Sequence, residues 1–397
     1  MFNFRQYDWK KYNYVLLIIM VVLGICSAYF VKFAATQTMG IEQSGAYFKK
    51  QIICLVMGLV IAIVVSLMDY KRVCDFAIIY YVISTLLVLA TKLPVIGTDA
   101  GTDSYRWIKI PGTSFTFQSS EICKVALIIT LAVFFKNKLE EINSIKTIVL
   151  AIVIFMIPTS IILTQSDLSS SLVIFFIFAI MIFAAGLSYK IVVPTILILI
   201  PLVVGGIWLI QQPIVQNIIP KEHRYQVDRV VAFLHPDDEY YALNDNYQQL
   251  KSVSAIASGE LTGKLLDKSE SVSRNYSSVD VCESDFIFAV IAEEIGFVGS
   301  GLILLLLCLV VFSCIRTAQK CNDTIGYLIA IGISAMLMFQ IFANIGVATL
   351  ILPNTGLPLP FLSSGISSMI ACAIEVGLII NIGMQSGTGD RSGISFL

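Results

Sequence analysis

Four short polar stretches in a mostly apolar chain carry side chains able to do chemistry. The first is Glu283-Ser284-Asp285-Phe286-Ile287-Phe288-Ala289, where a carboxylate opens a long apolar run. Charge at the border of water and hydrocarbon is costly, so an acid there marks a functional site by default. Asp285 is therefore the first candidate site residue. The second stretch is Gln118-Ser119-Ser120-Glu121-Ile122-Cys123-Lys124, whose acid and lysine are neighbours on one helix face. They can satisfy each other as a snorkelling ion pair, or offer a diphosphate a cationic seat held by its own counter-ion. The third is Gln165-Ser166-Asp167-Leu168, followed by Ser169, Ser170 and Ser171. Asp167 suits a helix N-cap as well as a binding role. The fourth runs from Leu352 to Gly365 and holds Pro353, Pro358 and Pro360. Prolines do not continue a helix, and non-helical backbone at membrane depth is tolerated only when buried in protein or lining a cavity. This stretch reads as the wall of an outward-facing cavity.

These residues must be positioned by membrane helices. The chain is 57% apolar and 13% charged, with a mean hydropathy of +0.85, whereas soluble domains carry about 25% charged residues. Apolar runs of about 18 residues or more read as spanning helices. Ten occur, near 14–34, 51–68, 75–92, 119–135, 147–164, 168–186, 190–210, 285–313, 325–350 and 360–384. The expected fold is all-α and polytopic, a single domain over 1–397, with one large extracytoplasmic loop, 211–284, between the seventh and eighth spans. The first run is expected to stay as an uncleaved helix rather than act as a signal peptide. Lys and Arg in short loops favour both termini in the cytoplasm, twelve residues (Lys10, Lys11, Arg316 and Lys320 among them) against seven. No internal repeat is evident.

Two loops merit attention. Residues 93–120 are punctuated by Gly97, Gly101, Pro111 and Gly112, and Trp107 there could anchor at the interface. In 211–284, the spacing of Val227, Val230, Val231, Phe233 and Leu234 predicts a helix along the membrane surface, near Arg224, Arg229 and an Asp237-Asp238-Glu239 cluster. Glu293 and Glu294 follow Asp285 by eight and nine residues, about 12–14 Å along a continuous helix. At least one must then face protein or water. The nine cysteines give no disulfide framework and read as small core hydrophobes. His223 and His235 are too isolated for a metal site, and no P-loop, zinc spacing or nucleophile elbow is present. Asp167, Glu121 and Asp285 are candidate ligands for a hard divalent cation, Mg2+ or Mn2+. The net charge of −1 argues against a nucleic-acid partner.

The order of these pieces resembles the SEDS family, the shape, elongation, division and sporulation proteins that include RodA, FtsW and SpoVE. Arg106-Trp107-Ile108 with Gln118-Ser119-Ser120-Glu121 and Lys124 resembles the family's "RWI…QPSExxK". Gln165-Ser166-Asp167-Leu168 resembles "QPDL", and Ser284-Asp285-Phe286-Ile287-Phe288-Ala289 with Glu293-Glu294-Ile295-Gly296-Phe297 resembles "TDFIFA…EELGF". Asn344 and Pro353 to Phe361 resemble "N…LP.TGIPLPF", and Tyr247-Gln248, Ser252, Ala255-Ile256 and Ser258-Gly259 resemble "YQ…S..AIGSG". Departures fall on loop geometry. Ser119 and Ser166 stand for prolines, Ala257 and Glu260 for glycines, Glu283 for a histidine, and Ser364 and Ile366 for the Tyr and second Gly of "SYGGSS".

The resemblance implies a peptidoglycan glycosyltransferase in the bacterial cytoplasmic membrane, polymerising lipid II into β-1,4-linked strands for elongation, division or sporulation. Asp285 would be its base. Trp107, Arg106, Gln118, Glu121, Lys124, Asn344, Thr355, Pro358 and Pro360 would bind the lipid II and undecaprenyl-linked glycan. It also implies a class B penicillin-binding protein as partner, membrane lipid around the chain, and no organic cofactor. Two other readings use the same charges: a lipid II flippase, and a non-catalytic scaffold of the synthesis complex.

Overall fold

The computed structural model describes residues 7–93, 96–98, 105–109, 116–212, 215, 221–235, 246–265 and 273–386. Arg5, Gly101, Pro111, Gly112, Asp237, Asp238, Glu239 and Arg391 fall outside these residues, as do the side chains of His223 and Arg224.

Each apolar run carries a helix: α1 (Tyr14–Met39), α2 (Ile41–Leu67), α4 (Ala77–Ala90, after the short α3, Tyr70–Asp75), α5 (Ser119–Asn137), α6 (Ile145–Leu163), α7 (Leu168–Ala184), α8 (Tyr189–Ile210), α11 (Ile287–Lys320), α12 (Thr324–Ala348) and α13 (Ile366–Met384). The loop 211–284 contributes α9 (Lys221–Leu234) and α10 (Tyr247–Ser258). Seven helices among the described residues are long and apolar enough to cross a membrane, with Ala77–Ala90 and Leu168–Ala184 shorter apolar helices beside them. Side-chain caps start several: Asn13 accepts from Leu16 N, and Asp323 from Gly326 N. Each satisfies a backbone donor the helix leaves open.

The ends of the range of burial locate the centre. In α13, 83% of the apolar window is buried, in α8 none. α13 packs on α2 and α5, and α12 packs on α11, α7 and α5. The site lies where the starts of α5, α7, α11 and α13 meet.

The structure departs from the sequence reading in three places. The segment 93–120 is not only a punctuated loop. It holds a three-stranded antiparallel sheet, β1 (Gly97–Thr98), β2 (Trp107–Lys109) and β3 (Thr116–Gln118), with Trp107 paired to both Thr98 and Gln118. Each strand has at most three residues, too few for a period to show. Second, α9, the helix expected from the apolar spacing in 211–284, also ties that loop to the proline-rich segment, because Arg229 on it reaches Asn354 O at 3.3 Å.

Third, α11 is broken at Gly296 (φ 65°, ψ −169°). Glu293 and Glu294 therefore end a short helical segment rather than lie deep in a continuous span. Loop residues wrap the break: Phe297 N donates to Glu260 O (2.8 Å), Lys264 N to Glu293 O (3.0 Å) and Leu265 N to Glu294 O (2.8 Å). The Glu293 carboxylate accepts from Lys264 Nζ (2.5 Å), Ser258 Oγ (2.9 Å) and the backbone amides of Asn275 and Tyr276. Glu294 accepts from Arg274 Nε (3.1 Å) and Tyr276 OH (2.6 Å). Both acids anchor the loop.

Glu260, where the family pattern has glycine, is held at φ 47° in the left-handed region. That conformation costs a side-chain-bearing residue about 1–2 kcal/mol. Glu260→Gly is expected to raise the melting temperature in detergent. Gly296→Ala should lower it, at a cost in stability of about 1–3 kcal/mol or more, since a Cβ there would meet the backbones of Leu261 and Gly263 in an already left-handed residue. Equal melting of both variants and the parent chain would contradict this account of the break.

Candidate functional site

Asp285 lies in the turn that leads into α11. Ser284 Oγ donates to its Oδ1 at 2.9 Å. Its backbone carbonyl accepts from Asn344 Nδ2 at 2.8 Å, and the same amide donates to Leu357 O at 2.8 Å. One buried side chain on α12 thus joins the acid's turn to the proline-rich segment. Ser363 repeats the device, donating to Ser284 O (2.6 Å) and accepting from Leu359 N (2.8 Å). Ser364 N donates to Glu283 O at 2.9 Å. Ser169 Oγ on α7 donates to Thr355 O. Gly356 has φ 68°, and a Cβ on it would stand 3.0 Å from Asp285 Oδ2. Glycine there keeps the carboxylate clear.

These contacts enclose a cavity of about 360 Å3. Its wall includes Asp285, Arg106, Trp107, Gln118, Glu121, Asp167, Thr355 and Pro358. Eight of the predicted residues, drawn from five separate stretches, thus converge on one space. Arg106 Nε and Nη2 donate to Gln165 O (3.1 Å) and Ser166 O (2.7 Å), tying the sheet to the turn before α7. Ser166 has φ 57°, which proline, locked near −65°, does not adopt. The serine at that family proline therefore goes with this turn. Ser119 is the first residue of α5, a position where proline and serine are both accommodated. Asp167 caps α7 through Ser170 N at 3.0 Å and also lines the cavity.

Three predicted residues are not on the wall. Lys124 is completely buried behind Glu121, to which its ammonium donates at 2.8 Å. It reaches the cavity only through Glu121, so the structure does not place its ammonium in direct contact with a ligand there, and the cations on the wall are Arg106 and Arg229. Asn344 works from beneath, through the backbone bonds above. Pro360 is buried in the proline-rich turn.

Arg229, Gln248, Ser284 and Ser367 line the same space and were missed as site residues. Ser367 Oγ accepts from Gln118 N at 2.7 Å, linking β3 to α13. Glu375, in the middle of α13, is fully buried with neither carboxyl oxygen hydrogen-bonded, in the field of Glu121 and Lys124. The rule that singles out Asp285, an ionisable group within an apolar run, would have found it.

Burial pushes the Asp285 carboxyl above its ordinary range, and Asp167 adds to this. The Ser284 hydrogen bond and the charges of Arg229 and Arg106 pull the other way without cancelling it. Glu283 is likewise raised by burial. Among the described residues no three of His, Cys, Asp or Glu converge to hold a metal ion. Glu121 is taken by Lys124, which leaves Asp167 and Asp285 facing one cavity. Two carboxylates suit a magnesium-like ion shared with substrate phosphates, not a protein cage.

The chain belongs to the FtsW/RodA/SpoVE family of cell cycle proteins, whose model matches residues 11–388. It is 30% identical to the "Probable peptidoglycan glycosyltransferase FtsW" of Bacillus subtilis, covering 94% of this chain and 91% of that one. It is 29% identical to the "Peptidoglycan glycosyltransferase MrdB" of Escherichia coli, with 94% of each chain covered. A solved chain described under "Structural coordination of polymerization and crosslinking by a peptidoglycan synthase complex" matches with TM-score 0.73 at 26% identity, over 95% of this chain and 97% of that one. The fold is also that of Thermus thermophilus rod shape determining protein RodA, with TM-score 0.64 at 22% identity, over 96% and 97% of the two chains. The chain is a multi-pass membrane protein.

Removing one partner of a buried ion pair strands the other charge, at about 3–5 kcal/mol. Lys124→Met should lower thermal stability by that order, and adding Glu121→Gln should restore part of it. A melting curve unchanged by Lys124→Met would mean that the pair is not buried as described.

Proposed function

We propose that this protein is a peptidoglycan glycosyltransferase that polymerises lipid II at the outer face of the bacterial cytoplasmic membrane. The observation that carries the reading is the convergence of Asp285, Arg106, Arg229 and Glu121 on one cavity. The names of the relatives support it. In this arrangement ten helices span the bilayer, both termini are cytoplasmic, and 211–284 is the extracytoplasmic part of a single membrane domain.

The chemistry follows from the charges. Asp285, ionised, takes the proton of the acceptor sugar's 4-hydroxyl. That oxygen bonds to the anomeric carbon of the lipid-linked donor as the carbon–phosphate-oxygen bond breaks. Undecaprenyl diphosphate leaves with the electron pair, and the α-linked donor becomes a β-1,4 link. A base works best with its pKa near the working pH, which the burial of Asp285 favours. Arg106 and Arg229 meet the charge that develops on the leaving diphosphate, the kind of stabilisation an oxyanion hole gives. Glu121, oriented by Lys124, holds a sugar hydroxyl, and Trp107 covers a sugar face. Asp167 and Asp285 would hold a Mg2+ or Mn2+ ion together with the diphosphate, and such an ion would neutralise leaving-group charge.

A class B penicillin-binding protein is the partner this reading calls for, because strands made here need cross-linking. The neighbouring solved chain comes from a complex described as coordinating those two steps.

Purified protein reconstituted with lipid II and its transpeptidase partner tests the reading. Asp285→Asn is expected to reduce glycan synthesis by at least a hundredfold while lipid II binding and melting temperature stay close to the parent's. Normal polymerisation by Asp285→Asn would remove Asp285 as the base. No polymer from the parent chain, with lipid II crossing the bilayer, would favour the flippase, and neither activity would favour the scaffold.

A further inference from the structure

The bundle carries a second cavity, of about 790 Å3, between the start of α1 and the end of α11. It lies away from Asp285. Ser367 at one end of α13 lines the first cavity, and Gly383 near the other end lines the second, about 24 Å apart at 1.5 Å per residue. Among the described residues four cations line it, Lys10, Lys11, Arg316 and Lys320, and no acid does. The Lys11 ammonium stands 3.6 Å from Asp8 and 3.5 Å from Ser386 Oγ. Asn13 Nδ2 donates to Ser313 Oγ at 2.7 Å and holds the two helices at this mouth.

The cations are the ends of two stripes. On α11, Leu309, Phe312, Arg316 and Lys320 follow at spacings of three and four, so one face passes from apolar to cationic. On the facing side Lys11, Val15 and Ile19 do the same in reverse, with α1 beginning at Tyr14. Leu309 to Lys320 measures about 16 Å, close to the half-thickness of a hydrocarbon core of about 30 Å. A soluble anion would use the cations and leave the apolar wall bare. A neutral lipid would cover the wall and bring no anion to the four cations. One ligand class matches both halves.

We propose that this cavity is a binding site for an anionic phospholipid, with its phosphate among Lys10, Lys11, Arg316 and Lys320 and an acyl chain along the Leu309–Phe312 wall. Basic pockets between membrane helices bind such headgroups through this combination of charge and apolar depth. The site stands apart from the glycosyltransferase chemistry, and its test reads binding.

The full chain is purified in detergent, and bound lipid is counted by native mass spectrometry after titration with phosphatidylglycerol or phosphatidylcholine of the same chain length. Phosphatidylglycerol is expected to be held about tenfold or more tightly over phosphatidylcholine, and Arg316→Gln with Lys320→Gln to remove most of that preference. Lys136→Gln with Lys190→Gln alters two cations outside the cavity, one in the last turn of α5 and one in the first turn of α8, and should leave the preference intact. Millimolar inorganic phosphate should not displace the lipid. The proposal is overturned if the two lipids bind alike, if Arg316→Gln with Lys320→Gln keeps the preference at an unchanged melting temperature, if Lys136→Gln with Lys190→Gln loses it equally, or if phosphate alone displaces the lipid. Should Arg316→Gln with Lys320→Gln fail to fold, Lys10→Gln with Lys11→Gln replaces it under the same criteria.

Discussion

One side-chain amide holds together two stretches of chain that have no local reason to meet. Asn344, buried on α12, spends its amino group on the carbonyls of Asp285 and Leu357. Neither carbonyl belongs to regular secondary structure, so without the amide each would be left unsatisfied next to apolar packing. Such a loss costs about 1–3 kcal/mol for each group. The arrangement also fixes where the Asp285 carboxyl points. Ser363 and Gly356 act in the same joint, one by bonding to both sides and the other by leaving room for the carboxylate. The cavity is a consequence of this joint. Its roof is the proline-rich segment and its acid is carried by the turn below.

Charge follows from that geometry. Three acids, Asp285, Asp167 and Glu121, share the region with three cations, Arg106, Arg229 and Lys124. The two arginines donate to backbone carbonyls of Gln165, Ser166 and Asn354. Lys124 differs, because it is sealed behind Glu121 and committed to it. The ion pair thus sets the floor of the cavity, while the half-buried Arg106 and Arg229 line its wall. Glu375, in the field of the same pair and without a hydrogen-bond partner, is a second buried carboxyl behind the cavity wall.

Much of this was legible in the residues themselves. Spans are read from length and apolarity, because a bilayer requires both, and every apolar run contains a helix. Asp285 stood out since an ionisable group at an apolar border is expensive, and the same reasoning would have singled out Glu375. Arg229 was legible only as a cation in a polar loop, because its role depends on a contact with Asn354 across 125 positions. The burial of Lys124 was hidden because spacing shows that it can meet Glu121 but not which of the two faces the cavity. The break at Gly296 was hidden for a different reason. A glycine inside an apolar run is compatible with a continuous helix, and only the loop wrapped around it by Glu260 and Lys264 makes the left-handed turn the better solution.

The most direct measurement of the central claim, that a buried carboxylate under the influence of two arginines performs the proton transfer, is the pH dependence of glycan synthesis at saturating lipid II. The parent chain should lose rate on the acid side with an apparent pKa above the ordinary value of about 3.9 for aspartate. Arg229→Gln should move that limb to higher pH, since removing a neighbouring cation makes the ionised carboxylate harder to form. An acid limb that stays in place in Arg229→Gln, or that persists with undiminished rate in Asp285→Asn, would contradict the account.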